Sequence, residues 1–307
     1  MQGCLVRAMS ANDSSFGSWP DGAVPPLSDG QFDQWCTLIE GRTGISLPSG
    51  RRSFLVTSLS SRMHELGVGD YDRYYELLTS GPQGWVEWEV LVDRLTVHET
   101  RFFRDPRALE LVRDVFLPDW LAIQESPLRL QAWSVGCATG EEPYSLAMVI
   151  DQALADSKRD YYFGVTATDI SAASVNAGRR AVYKRARLKQ VPTKLLMRYF
   201  EPIDHERYRV RDSLRERVCF SRANVLGYDT SVLPSMDLIV CQNLLIYFPR
   251  DTRVEVLNKL ADQLRPGGLL VLGGGEILNW HHPELAPFSH EGCLAFRRIA
   301  TAVAGEL

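Results

Sequence analysis

The sequence predicts an α/β fold in which a small all-helical N-terminal domain precedes a doubly wound, mostly parallel sheet. Three observations lead to this fold class. Apolar residues recur at helical spacing through residues 27–95. From residue 128 onward, short apolar strands alternate with amphipathic helices. Between the first strand and its helix, "SVGCATGEEP" turns through two glycines, as at the ligand-binding edge of open parallel sheets.

The N-terminal part of the chain is predicted to hold a tail and a helical domain. Residues 1–26 are rich in Ser, Gly, Pro and Asp, which is typical of a disordered or loosely attached tail. The pattern then becomes helical, with Ser28 placed to cap the first helix and Gly44 to end it. Three more amphipathic stretches complete a domain at 27–95, and an interdomain segment with a further helix follows at 96–127.

The C-terminal region, 128–307, is predicted to contain the sheet. Four apolar runs are interpreted as its main strands, in the order "LRLQAWSV", "YYFGVTATDI", "MDLIVC" and "LLVLGGG". Helical patterns separate them, which favours parallel pairing. Near the C-terminus, "CLAFRRIA" is predicted to form an antiparallel edge strand.

Composition excludes several classes of protein. The 307 residues carry a net charge of −4, which argues against a nucleic-acid partner. The six cysteines form no CxxC pair and have no histidine cluster beside them, so we expect reduced thiols and no metal site. No apolar run approaches the roughly 20 residues of a membrane helix, and none resembles a signal peptide. We therefore expect a cytoplasmic protein without membrane insertion.

The glycine turn is the first candidate site. A phosphate-binding P-loop requires GxxxxGK[ST], but Glu141 and Glu142 follow the second glycine here and would repel polyphosphate. The dinucleotide pattern GxGxxG also fails, because Gly136 is followed by "CAT". A ligand that carries positive charge and no phosphate, such as S-adenosylmethionine, fits better. Two ordinary readings stay open: a plain turn, and acids that favour a helix N-terminus.

Two other residues near this turn have alternative interpretations. Asp169 ends the second strand in "ATDIS", where an acid can accept both ribose hydroxyls; it could equally cap the next helix. Cys137 lies between the glycines, but no histidine near it in sequence offers a base. We interpret Cys137 as a small buried side chain and not as a nucleophile.

Four motifs together resemble a known enzyme family. "TVHETRFFRD", "SVGCATGEEPYS", "ATDIS" and "CQNLLIYF" occur in the order and spacing of the CheR-type chemotaxis-receptor glutamate O-methyltransferases. The resemblance covers about residues 27–300. It implies a Rossmann-like methyltransferase domain, a receptor-recognising helical domain at 27–95, and an inserted β-subdomain at about 199–220. It also implies S-adenosylmethionine as cofactor and S-adenosylhomocysteine as product.

The resemblance also implies roles for single residues. The resemblance locates Arg104 and Tyr247 in the cofactor pocket. From the chemistry we expect both to be catalytic, Arg104 by holding the incoming carboxylate or the cofactor and Tyr247 by placing its ring and hydroxyl against the methyl–sulfonium group. The ordinary alternatives are a surface ion pair for Arg104 and a core aromatic for Tyr247. The positions assigned to the cofactor hold His98, Thr100, Arg104, Gly136, Glu142, Asp169, Asn224, Val225, Gln242 and Asn243. The chain departs from the family pattern at His98, usually Asn, at Gln242, usually Arg, and at "GGGE", where many members have Gly-His-Ser-Glu.

The predicted reaction needs little acid–base chemistry. A glutamate side chain, with a pKa near ~4.3, is already a carboxylate at neutral pH and can attack the sulfonium methyl in line. The leaving thioether is neutral, so no proton has to be delivered. We therefore expect the protein to contribute proximity, alignment and exclusion of water, with neither a catalytic triad nor a metal.

The predicted partner is the cytoplasmic helical bundle of a chemoreceptor. "RRAVYKRARLKQVPTKLLMR" at 179–198 holds eight basic residues and no acid, either a solvated helical face or a docking surface for an acidic partner. By resemblance, the second N-terminal helix meets the receptor through basic residues. This chain has Arg51, Arg52 and Arg62 there, but also Ser58, Ser61 and His64. A short connection at 204–207 implies that no C-terminal receptor peptide acts as a tether. We expect a monomer.

The sequence also leaves alternatives to this function. The first alternative is a cofactor-binding and receptor-docking module that turns over poorly, for which the departures at His98 and Gln242 leave room. A small-molecule methyltransferase is disfavoured by the helical domain and the basic segment. A nicotinamide-dependent dehydrogenase fails at the glycine spacing.

Overall fold

The computed structural model describes residues 26–228, 233–290 and 292–299. The chain divides into two compact units. One comprises Met1–Leu38 with Leu47–Leu95, and the other Ile39–Ser46 with Thr96–Leu307. The predicted tail at 1–26 lies outside the described residues except for residue 26.

The first unit is helical. Its helices are α1 (Asp29–Thr43), which ends in the second unit, α2 (Arg52–Leu66), α3 (Tyr71–Thr79) and α4 (Gly81–Leu95). Ser28 caps α1 as predicted, since the Gln31 N–H donates to Ser28 Oγ over 3.2 Å and the Ser28 N–H to Gln31 Oε1 over 3.1 Å. The predicted apolar face of α2 is buried at Leu55, Leu59 and Met63.

An ion-pair network lies inside this unit. Glu87 is buried, and it accepts hydrogen bonds from Arg62 Nη2 (2.6 Å), Arg62 Nε (2.7 Å) and Tyr74 Oη (2.8 Å). Arg62 is half-buried and also pairs with Glu65 over 2.8 Å, so two carboxylates of this unit bind its guanidinium. Ser58, also on α2, is buried.

The second unit is built on a seven-stranded sheet. Its strands are β1 (Leu128–Val135), β2 (Tyr161–Asp169), β6 (Val218–Arg222), β7 (Met236–Cys241), β8 (Leu264–Leu272), β9 (Leu285–His290) and β10 (Cys293–Arg298). They are arranged in the order β6-β2-β1-β7-β8-β10-β9. The first five are parallel, and β10 pairs antiparallel with both β8 and β9. This confirms the predicted mostly parallel sheet.

Helices connect and cover these strands. They are α5 (Pro106–Leu111), α6 (Leu117–Ile123), α7 (Glu141–Asp156), α8 (Ala172–Arg180), α9 (Thr193–Tyr199), α10 (Asp212–Arg215) and α11 (Arg250–Gln263). A π-helical turn, Val112–Phe116, joins α5 to α6. β1 is the middle one of the five parallel strands. Its first half alternates between buried Leu128 and Leu130 and the less buried Arg129 and Gln131, and its second half is buried on both faces. Among the described helices, none has the length and hydropathy required to span a bilayer.

The strand order positions the site. From the central strand β1 the chain proceeds to β2 and β6 on one side, and it returns to β7 and β8 on the other. The carboxyl ends of β1 and β7 therefore flank the point where the order reverses, and ligands of open α/β sheets bind at such a point.

Two strand predictions need correction. "CLAFRRIA" does form antiparallel β10, but the edge strand is β9, "LAPFSH". Pro287 interrupts the pattern of β9 and cannot donate to a ladder, which suits it to an edge. Residues 218–220, predicted to end the β-subdomain at about 199–220, instead begin strand β6 (Val218–Arg222) of the main sheet. The small separate sheet has the order β3-β5-β4, with β3 (Val182–Lys184), β4 (Phe200–Pro202) and β5 (Arg207–Val210).

Candidate cofactor site at the carboxyl edge of the sheet

The glycine turn between β1 and α7 is a strained, closely packed loop. Gly136, Ala138 and Gly140 have positive φ angles of 74°, 45° and 98°. A Cβ on Gly140 would lie 2.8 Å from Tyr183 Oη, so only glycine fits there. The N–H groups of Gly136 and Cys137 both donate to the Thr168 carbonyl, over 2.8 and 3.0 Å, which ties the loop to the end of β2.

The two acids that follow the loop have different surroundings. Glu141 is fully buried and accepts a 2.6 Å hydrogen bond from Thr139 Oγ1, a contact inside the loop itself. Glu142 accepts a 2.7 Å hydrogen bond from Ser134 Oγ at the end of β1. Desolvation raises the pKa of Glu142 to about 8, and the nearby Glu276 adds to the increase while Arg104 opposes it. Glu142 is therefore the acid whose charge a cationic ligand would favour.

Asp169 holds the loop in place from the end of β2. Its Oδ2 accepts the Ala138 N–H over 2.8 Å, and its Oδ1 accepts the Ser171 N–H over 2.9 Å. The N-cap of α8 is Ser171, whose Oγ accepts from the Ser174 N–H over 3.0 Å. The capping interpretation of Asp169 is therefore wrong. Each carboxylate oxygen has a second lone pair, so Asp169 retains capacity to accept hydroxyl groups.

The segment 98–104 lies against α8 and the basic segment. His98 lies between two hydroxyls, with Nδ1 2.8 Å from Ser174 Oγ and Nε2 3.0 Å from Thr96 Oγ1. Thr100 is buried, and its carbonyl accepts a 2.7 Å hydrogen bond from Arg187 Nη1. Arg104 is exposed and donates to the Glu99 carbonyl over 2.6 Å.

A small cavity of about 20 Å³ lies between this segment and the first turns of α7. Its lining includes Arg104, Glu142 and Gln242, three residues that the sequence assigned to the cofactor or to catalysis. Gln242 Nε2 donates over 2.9 Å to Asp105 Oδ2, and Asp105 in turn caps α5. Gln242, which stands where the family usually has arginine, is thus hydrogen-bonded to Asp105, the residue that follows Arg104.

The remaining predicted residues follow β6 and β7. Asn224 Nδ2 donates to the Arg42 carbonyl over 3.0 Å, and Asn224 Oδ1 accepts from the Leu226 N–H over 3.1 Å. Val225, between these two residues in the sequence, is half-buried. Asn243 is exposed, with a φ of 59°. Tyr247, also half-buried, accepts the Ser46 N–H at its carbonyl over 2.9 Å.

Glu276 is a site-forming residue that sequence reasoning missed. It is completely buried, and its carboxylate accepts the N–H groups of Leu244 (2.8 Å), Leu245 (3.3 Å) and Gly273 (3.0 Å). Burial raises its pKa, and these N–H donors oppose the increase. The only sequence signal was the "GGGE" run, interpreted as a departure from the family. The structure shows that its acid fixes the loop that bears Asn243.

The basic segment 179–198 is not one helix, as one interpretation assumed. It comprises the end of α8, β3, a 3₁₀ turn and α9, and all eight of its basic residues are exposed. Two of its side chains nevertheless reach the site. Tyr183 Oη donates to the Thr139 carbonyl over 2.8 Å, and Arg187, besides its bond to Thr100, lies 3.6 Å from Glu141 Oε1.

Cys137 is buried, and burial raises the pKa of its thiol. The nearby carboxylates of Asp169 and Glu142 add to this increase. The side chain is therefore held as the neutral thiol, in agreement with the prediction that it is not a nucleophile.

The donor set fits S-adenosylmethionine. The backbone of Gly136 lies close to the side chain of Leu244: a Cβ added to Gly136 would be only 3.2 Å from Leu244 Cδ2. The loops that follow β1 and β7 therefore approach one another at the switch point. An acid that can become anionic, Glu142, suits the sulfonium and ammonium groups, and Asp169 suits ribose hydroxyls. A parallel α/β sheet with such a site defines the class of S-adenosylmethionine-dependent methyltransferases.

Comparison with known proteins identifies the family. Residues 98–291 match the family model described as CheR methyltransferase, SAM binding domain, and residues 30–96 match CheR methyltransferase, all-alpha domain. The chain is 33% identical over 261 residues to a chemotaxis protein methyltransferase of Escherichia coli K12, covering 84% of this chain and 87% of that protein. It is 30% identical over 252 residues to chemotaxis protein methyltransferase Cher2 of Pseudomonas putida KT2440, covering 81% and 90%. The chain belongs to the CheR methyltransferase family.

Proposed function

We propose that the protein transfers the methyl group of S-adenosylmethionine to the side-chain carboxylate of specific glutamates on the cytoplasmic helices of chemoreceptors. The products are a glutamate methyl ester, which serves sensory adaptation, and S-adenosylhomocysteine. The observation that supports the proposal is the proximity of Glu142, suited to a cation, and Arg104, suited to a carboxylate, which line the same small cavity at the carboxyl edge of the sheet.

The chemistry requires alignment of two charged groups. When bound, S-adenosylmethionine supplies a methyl group activated by the sulfonium. Arg104 orients the incoming carboxylate, one oxygen of which forms the new bond as the sulfur–methyl bond breaks. Tyr247 presents its ring to the methyl–sulfonium group. The substrate carboxylate is already ionised at neutral pH, so the chain needs no general base.

The cofactor contacts are proposed for the remaining predicted residues. Glu142 balances the cationic end and Asp169 accepts the ribose hydroxyls, while Asn224 and Val225 lie beside the adenine. Contacts from the loops on either side complete the set, which comprises His98, Thr100, Gly136, Gln242 and Asn243. Each has a location at the carboxyl edge of the sheet or on a segment bonded to it.

The partner assignments belong to the same proposal. The helical domain at 27–95 recognises the receptor, and the short loop at 204–207 acts without a C-terminal tether peptide. That loop is closed by Asp204, whose Oδ1 accepts the N–H groups of Glu206 (2.9 Å) and Arg207 (2.8 Å). We propose further that the protein acts as a cytoplasmic monomer.

A methyl-transfer assay tests the function. The protein is incubated with methyl-labelled S-adenosylmethionine and the cytoplasmic domains of candidate receptors, and the labelled receptor is then treated with base. Glutamate esters release volatile labelled methanol, whereas methylated amines do not. If the protein binds the cofactor but no receptor yields base-released methanol, the docking-module alternative replaces the enzyme.

The two catalytic assignments are tested by substitution. Arg104→Ala and Tyr247→Phe are each expected to lower the rate of methyl transfer about 10-fold or more, because each removes one aligning contact. Thermal unfolding should change little, since Arg104 is exposed and the phenyl ring of Tyr247 is kept. Unchanged transfer rates in both variants would remove these residues from the mechanism.

A further inference from the structure

A larger groove opens next to the small cavity that Arg104 and Glu142 line. It has a volume of about 650 Å³ and lies between the segment 101–113 and the region 190–195 at the start of α9. Arg101, Phe103, Arg104 and Leu109 line both the groove and the smaller cavity that contains Glu142. The two spaces therefore share a wall, and an occupant of the groove would lie beside Arg104.

The groove has an apolar floor and a basic rim. Leu195 and Val149 are buried in its floor, and Leu109 is half-buried there. Exposed cations stand on the rim: Arg101, Arg104, Arg113 and Lys194. One acid, Glu110, also lines the groove, and Asp114 pairs with Arg113 over 2.6 Å, which leaves four cations against two carboxylates.

The shared wall is conformationally strained. Phe103 has a φ of 53°, a left-handed conformation that is rare for a bulky side chain. Its N–H donates over 3.0 Å to Ser145 Oγ, which itself donates over 2.7 Å to the Glu141 carbonyl. Such strain persists where the surrounding contacts require it, and it clusters at functional sites. Here it holds the residue between the two spaces and orders Arg104, which follows it.

We propose that this groove is the docking site for the substrate segment, an amphipathic α-helix that carries glutamates on its flank. The proposal rests on the proposed function and adds the surface on which the helix lies. An apolar stripe of the helix packs on Leu109 and Leu195, and its acidic flank meets the basic rim. The glutamate to be methylated then enters past Phe103 toward Arg104.

Steady-state kinetics of the full-length protein test the groove. In the double variant Arg113→Gln/Lys194→Gln, the KM for a receptor cytoplasmic fragment is expected to rise about 5- to 20-fold, because two charge contacts are lost. The value of kcat and the Kd for S-adenosylmethionine should stay within about 2-fold, since neither residue is among the proposed cofactor or catalytic contacts and neither lines the small cavity beside Glu142. The dependence of KM on salt should weaken in parallel.

A matched control removes the same charge elsewhere. Arg129→Gln/Lys158→Gln neutralises two exposed cations near the amino ends of β1 and β2, at the opposite edge of the sheet. Its KM should equal that of the unmodified protein. An equal increase in KM in both double variants would show that only the net charge of the protein matters, and it would contradict the proposed docking site. An unchanged KM in the groove variant would contradict it as well.

The outcome separates this inference from the proposed function. If the unmodified protein gives no base-labile methyl ester on any receptor fragment, the proposed function fails and the groove with it. If esters form at an unchanged KM in the groove variant, only the groove fails. Thermal unfolding of each variant confirms that the folded fraction is the same.

Discussion

At Glu142, burial and a cationic ligand act on one carboxyl group in opposite directions. Desolvation raises its pKa to about 8 in the ligand-free protein, so much of this side chain is protonated at pH 7. A bound cation favours the carboxylate and lowers that pKa. Binding must therefore release a proton over this pH range, by linkage.

We predict that the affinity for S-adenosylmethionine increases with pH from about 6 to 8 and levels off above the pKa of Glu142. Isothermal titration calorimetry across this range gives the Kd, and buffers of different ionisation enthalpy give the number of protons released. Glu142→Gln should bind about 10-fold more weakly and lose the pH dependence. A wild-type affinity that is flat over this range would show that Glu142 does not meet the cationic end of the cofactor.

At the scale of elements, the small sheet supports the glycine loop. Tyr183, on β3, donates to the Thr139 carbonyl, and burial raises the pKa of its hydroxyl, which remains a donor. Tyr183→Phe should lower the free energy of unfolding by about 1 kcal/mol, the usual net value of one hydrogen bond. Because the lost bond holds the loop, cofactor affinity should fall about 3- to 10-fold by calorimetry. Tyr208→Phe, on neighbouring β5, is the control and should leave affinity unchanged.

Glu276 has the same role for the loop after β7. Glu276→Gln replaces an acceptor oxygen with an NH₂ group that faces backbone N–H donors, so we expect a loss of about 1–3 kcal/mol in unfolding free energy by urea titration. The loop that bears Asn243 loses its anchor, and cofactor affinity should fall as well. Glu255→Gln removes an exposed carboxylate that pairs with Lys259, and it should cost no more than about 0.5 kcal/mol. Equal stability of the two variants would contradict the anchoring role.

Sequence patterns predicted the elements that can be recognised from their own residues, without knowing their partners in the sheet. Strands β1, β2 and β7 are apolar runs next to helices, and each was found where its pattern indicated, whereas β8 begins at Leu264, five residues before the predicted run "LLVLGGG", and ends at Leu272. Strand β6 was assigned to the wrong sheet and strand β9 was not predicted, because both are defined by the strands with which they pair and not by a local pattern. The five residues of β6 become part of the main sheet only through β2, and Pro287 obscures β9.

The same distinction applies to the site. The motifs indicated which acids and amides lie near the glycine turn, because each follows a strand directly. They could not indicate that Arg187 bonds the Thr100 carbonyl, a contact between residues 87 positions apart, or that Glu276 accepts three backbone N–H groups. Backbone carbonyls and N–H groups are common to all residues, so such contacts leave no residue-type signal.

At the scale of the whole molecule, the ion pair between Arg62 and Glu87 lies in one unit and the proposed cofactor residues lie in the other, so we expect its loss to affect stability and not cofactor binding. Arg62→Ala leaves buried Glu87 with Tyr74 as a remaining donor, and the uncompensated charge should cost about 3 kcal/mol in unfolding free energy. The cofactor residues all lie in the other unit, so the Kd for S-adenosylmethionine should not change at a temperature where the variant is folded. Glu76→Gln, an exposed carboxylate on α3, is the control for the melting temperature. A large change in cofactor affinity would show that the units are coupled.

The bonds that Asp169 makes to Ala138 and Ser171 have a consequence for how the cofactor is captured. The loop reaches its strained shape during folding, so a ligand meets a preorganised surface and loses little further entropy in ordering it. Association should then be a single step whose rate is proportional to cofactor concentration, without the plateau that a slow rearrangement would impose.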